Sequence, residues 1–138
     1  MFTLQRCLIV WAALSAPVLA EEPCESHFTK EGGFFKGTTF KTWADIKGIS
    51  SSQAYKKAYL HLSKEGWKIV SSDKDIGIIS ASQDVSFGEG KTAPLNVVVE
   101  ESGSGTKISI SFSLSGGVMS PSSAVKDSFC DIITAAGQ

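Results

Sequence analysis

One arginine, two histidines and three cysteines are all that this 138-residue chain holds of those types, and each scarcity excludes something. The arginine is Arg6, so everything beyond residue 20 carries 12 lysines against 14 acids and no arginine at all. Nucleic acid is gripped by clustered Lys and Arg on one face, and a slightly acidic chain lacks that footprint, which argues against a nucleic-acid partner. His27 and His61 share ligand spacing with Cys24 only through His27, too few donors for zinc. No apolar run after residue 20 approaches the roughly 20 residues that a spanning helix needs, so no transmembrane segment is expected there.

What the N-terminus does contain is a short export pattern. Arg6 supplies a positive start, Cys7 to Leu14 (CLIVWAAL) form an apolar run, and Val18-Leu19-Ala20 ends on the small residue a signal peptidase requires. The reading is a signal peptide over residues 1–20, cleaved after Ala20, which sends the protein to the periplasm or outside the cell. Of 138 residues, 118 would remain, the usual size of one domain.

Cys7 leaves with that segment, and Cys24 and Cys130 remain as an even pair in an oxidising compartment. A disulfide between them closes a loop long enough for chain entropy to favour the folded state by about 4 to 5 kcal/mol. Lipidation of Cys24 is the competing reading. Glu22 and Pro23 precede it where small and apolar residues would be needed, so the disulfide is preferred.

Residues 21–37 are charged and glycine-rich and read as an irregular arm, with a single domain over 38–138. Thr38 to Trp43 (TTFKTW) is β-branched and aromatic, a strand signal. Ser50 and Gln53 then make a capping box before a helix whose apolar residues, Ala54, Tyr55, Ala58, Tyr59 and Leu62, recur at helical spacing. Gly66 and Trp67 match the C′ and C″ positions of a Schellman ending.

Strands follow at Trp67 to Val70, Ile76 to Val85 and Leu95 to Val99. The clearest alternation lies at 108–115, apolar at even positions and serine at odd ones. Ser120 and Pro121 read as N-cap and N1 of a closing helix with the stripe Val125, Phe129, Ile132, Ile133, Ala136. The order β-α-β-β-β-β-α predicts an α+β two-layer sandwich, a mainly antiparallel sheet with both helices on one face and a serine-rich face outward.

The run from Phe40 through Lys74 includes a helix closing with Lys64-Glu65-Gly66-Trp67-Lys68-Ile69-Val70 and a turn at Ser72-Asp73-Lys74. Together with the continuation Asp75-Ile76-Gly77-Ile78-Ile79-Ser80-Ala81, it resembles small bacterial envelope proteins. Among them is the C-terminal domain of the outer-membrane assembly lipoprotein BamC. The resemblance implies fold and compartment only, and the absence of a lipidation site departs from the lipoproteins.

Chemistry-bearing motifs fail on their own terms. Gly90-Lys91-Thr92 ends like a phosphate loop, but Val85 stands where its first glycine belongs and Pro94 follows instead of a helix. Ser123 to Lys126 and Ser71 to Lys74 match S-x-x-K without the accompanying motifs of serine acyltransferases. Asp73 and Asp75 are too few oxygen donors for calcium and suit turn chemistry. No catalytic residue, metal site or cofactor is therefore expected.

Apolar residues outside the layered core are what remain: Phe34 and Phe35 in the arm, Phe87 in a glycine-rich loop, and Val118-Met119 before the closing helix. They form a partner-binding patch or a satellite core under the folded-back arm. The expected function is a non-enzymatic, exported binding or assembly module that docks a protein or envelope component. The alternatives are a periplasmic inhibitor or immunity protein that blocks an enzyme with residues 86–94, and, more remotely, an unrecognised hydrolase.

Overall fold

The computed structural model describes residues 23–85 and 90–138; the segment read as a signal peptide and the loop containing Phe87 lie outside them. The elements are α1 (Pro23–Ser26), β1 (Thr29–Gly33), β2 (Gly37–Lys47), α2 (Ser51–Lys64), β3 (Lys68–Asp73), β4 (Ile78–Asp84), β5 (Thr92–Ser102), β6 (Gly105–Leu114) and α3 (Ser122–Gly137). The six strands form one sheet in the order β1-β2-β6-β5-β4-β3, every neighbouring pair antiparallel.

Alternation makes the two faces different. Ile108, Ile110, Phe112 and Leu114 are buried, while Ser109, Ser111 and Ser113 between them are half-buried on the outer face. Register carries the apolar face across the sheet: Thr42, Ile110, Val97 and Ile79 form one transverse row, and Phe40, Phe112 and Leu95 another. Ala54, Ala58 and Leu62 of α2 join these residues, with the α3 stripe Val125, Phe129, Ile132, Ile133 and Ala136, in a single core. The α+β sandwich and its serine-rich outer face follow.

Helix α2 starts and stops as its sequence dictates. Ser50 Oγ accepts from the Gln53 N–H at 3.3 Å, and at the far end the Trp67 N–H donates to Leu62 O at 3.0 Å and the Gly66 N–H to Ser63 O at 3.4 Å. That pair of bonds is the Schellman pattern, and Gly66 takes the left-handed φ of 87° it requires. Helix α3 differs by one position from its expected start. Pro121, with an extended ψ of 129°, is the N-cap rather than N1, and its carbonyl accepts from the Val125 N–H.

The larger correction concerns the irregular arm expected over residues 21–37, whose described part, residues 23–37, is ordered into regular elements. These residues hold the one-turn helix α1 and the edge strand β1, paired with β2 from Thr29↔Lys41 to Gly33↔Gly37. Thr29-Lys30-Glu31-Gly32-Gly33 has no apolar pattern because an edge strand exposed on both sides has nothing to bury. Its conformation comes from β2, whose free edge supplies the hydrogen bonds.

The Cys24–Cys130 disulfide is present, with Cα atoms 5.6 Å apart. Cys24 is 2% exposed and belongs to the core, so the bridge fixes a packed element and not a loose tail. Thr42 Oγ1 donates to Cys24 O, and Thr106 Oγ1 to Ile49 O at 2.9 Å, which satisfies two buried threonines on the apolar face.

Candidate functional site

Two places on this scaffold present aromatic side chains in unusual settings. The first is the tip formed by the β1–β2 turn and the turn after β6. The Gly117 N–H donates to Phe34 O at 2.7 Å and ties the turns together. A Cβ on Gly116 would fall 2.4 Å from Phe35 O, so only glycine permits this approach.

Both phenyl rings on this tied turn are exposed. Phe34 and Phe35 meet edge to face, centroids 5.2 Å apart, and Phe35 is 90% exposed. Met119, two residues beyond the Gly117 tie, is 79% exposed. Val118 instead packs partly against the core, and Phe87 is outside the described residues. Of the five apolar candidates, Phe34, Phe35 and Met119 are therefore the exposed ones among the described residues, the first two on the tied turn and Met119 two residues beyond the tie. The satellite core is built by a residue that the sequence reading passed over: Phe28, with ring centroids 5.9 Å from both Phe40 and Phe129.

The second place is a groove of about 570 Å³ between the C-terminal turn of α2, the first half of α3 and the end of β4. Trp67, Phe112, Phe129 and Val125 line its apolar part, Trp67 standing edge-on to Phe112 at 5.8 Å. His61 and Glu65 line it from α2, Asp127 and Asp131 from α3, each pair one helical turn apart and so on one face. His61 is half-buried here. Helical spacing alone could have shown the pairs; their convergence could not, because it depends on how the helices dock.

The remaining chemistry-bearing residues are engaged locally. His27 Nδ1–H donates to Trp43 O at 2.9 Å while its ring stacks on the Trp43 indole at 3.5 Å, and Lys107 Nζ lies 4.8 Å from the centroid of the same indole. Lys126, of the S-x-x-K at 123–126, holds its Nζ 5.7 Å from the Phe28 ring. Asp73 Oδ1 accepts from the Asp75 and Ile76 N–H groups, the expected turn chemistry. Among the described residues, no group of three His, Cys, Asp or Glu side chains is placed to hold a metal ion. No helix among them is long and apolar enough to cross a membrane.

No protein-family model matches the chain, and no curated protein matches it. Among solved structures, the crystal structure of Ara h 8.0201 aligns with a TM-score of 0.44 and 13% identity, over 73% of this chain and 95% of that one.

Proposed function

We propose that this protein is an exported, non-enzymatic binding module that docks a partner protein of the cell envelope through the tip formed by Phe34, Phe35 and Met119. The carrying observation is Phe35, 90% exposed on a turn that is itself fixed by the Gly117 tie. Leaving a phenyl ring in water forgoes about 2 kcal/mol that burial would supply, and a fixed turn lets a partner gain it without ordering a loop. Lys36 follows the ring pair, so the edge of such an interface is basic. The disulfide fits an oxidising compartment, the export pattern at residues 1–20 supplies the route, and the resemblance to envelope assembly proteins suggests the class of partner.

A photo-crosslinking phenylalanine at position 35 tests this in an exporting bacterium. One discrete adduct at position 35, absent when the same residue is placed at the exposed Ile76, supports the reading. No adduct, or equal labelling at both positions, overturns it. An adduct with an enzyme that loses activity on binding would favour the inhibitor alternative.

A further inference from the structure

We propose, resting on the tip reading above, that the partner enters as an extended segment that adds a further strand to the free edge of β1 and lays a large apolar side chain over Gly33 against Phe34 and Phe35. The sheet order β1-β2-β6-β5-β4-β3 leaves two edges, and alternate residues of each turn their backbone N–H and C=O away from the sheet. The edges are not equivalent. β3 carries a register shift between Ile69 and Ser71, the kind of bulge that spoils pairing with an incoming strand. β1 keeps an unbroken register with β2 from Thr29↔Lys41 to Gly33↔Gly37 and runs directly into Phe34 and Phe35. A lysine is a common guard of such an edge, but Lys30 is drawn onto the sheet, its Nζ 5.8 Å from the centroid of the Phe40 ring.

The two glycines of β1 differ as well. Gly32 has a left-handed φ of 91°, and a Cβ there would run into Gly37 O, so the β1–β2 pair itself demands glycine. Gly33 has no positive φ, and a Cβ on it would meet nothing within 4 Å. Its bare backbone weakens the strand without easing any contact inside this chain, and it borders the exposed rings. A large side chain on a neighbouring strand packs over such an edge glycine, and here it would cover the ring pair too. A second copy is the poorer occupant. Two β1 strands paired antiparallel about a two-fold axis place their ring pairs at opposite ends, where neither covers the other.

The test is a scan in an exporting bacterium with a photo-crosslinking phenylalanine placed in turn at Phe35, at Thr29 and Glu31 on β1, and at Val70, 65% exposed on the opposite edge strand. The adduct formed at position 35 should recur with the same partner at 29 and 31 and be missing at 70. Gly33→Lys, which fills the space over the bare backbone, should cut the position-35 adduct about tenfold. The thermal midpoint of the purified variant should stay within about 3 °C of the parent. An adduct at 35 with none at 29 and 31, equal labelling at 70, or an undiminished adduct in Gly33→Lys overturns strand addition and leaves docking through the tip standing. No adduct at any position overturns both. An adduct between two copies of this chain overturns the proposal by assigning the edge to self-association, and a midpoint lowered by more than about 8 °C overturns it by showing that the fold itself demands Gly33.

Discussion

Phe28 and Phe35 lie on one short N-terminal segment and meet opposite fates. Phe28 is drawn under the segment, between Phe40 and Phe129, with Lys126 across its remaining face. Phe35 stands in solvent on a turn tied to its neighbour by the Gly117 N–H to Phe34 O bond. The difference lies in what each is tied to. Residues 24–28 are bound to α3 and to β2 by a disulfide, a buried threonine bond and a histidine stack on the outer face, and they lie against the stretch of β2 that β1 leaves uncovered. Residues 34 and 35 are bound only to another surface turn. An exposed aromatic on a fixed backbone is therefore a feature of the tip and not a sign of a loose arm.

The disulfide should have the largest effect on this contrast. Replacing Cys24 and Cys130 by serine should cost about 3 to 5 kcal/mol, read as a fall in the urea midpoint with a somewhat steeper slope, because the unfolded chain is no longer held in a loop. Trypsin should then cut at Lys30 in the variant but not in the parent, while the exposed Lys36 is cut in both. A loss under about 1 kcal/mol, or no new cut, would mean that β1 pairing alone holds the segment.

Phe28→Ala comes next, at about 2 to 3 kcal/mol by thermal or urea unfolding, below the full core value because the ring is only partly buried. A cost near zero would place Phe28 with the tip residues and remove the distinction.

Legibility in the sequence divides along the same line. The 108–115 alternation, the α2 caps and the α3 stripe were readable because each is a local pattern with a fixed period or a fixed motif. The edge strand β1 was not, since Thr29 to Gly33 carries no buried residue and takes its shape from a neighbour. Export context and cysteine parity pointed to the Cys24–Cys130 pairing, but the burial of Cys24 depends on where α1 docks. The tip was half legible. Phe34, Phe35 and Met119 could be named as surplus apolar residues, whereas the backbone bond that unites their turns joins positions 34 and 117 and leaves no local trace. The groove was invisible for the same reason, His61 with Glu65 and Asp127 with Asp131 being ordinary helix-surface residues until the helices meet.

His27 offers a smaller and sharper probe of the tethered side. His27→Ala removes one hydrogen bond to an edge carbonyl and one stacked ring, and should cost about 1 kcal/mol. His27→Phe keeps a ring over Trp43 without the donor, and should recover about half of that. Equal losses in the two variants would assign the whole effect to the hydrogen bond.

The smallest expected effect on stability is also the one that bears most on function. Phe35→Ser replaces a side chain that touches the Phe34 ring and otherwise faces water, so unfolding should change by no more than about 0.5 kcal/mol in either direction. Pairing it with Phe28→Ser makes the comparison internal to one residue type and one segment. The first should keep the thermal transition and lose association with the partner captured through position 35; the second should lower the transition. If Phe35→Ser destabilises the fold as much as Phe28→Ser does, the tip is structural in solution and the docking role falls. If it changes neither stability nor association, the outward ring has no role in binding, and Phe34 and Met119 must be tested without it.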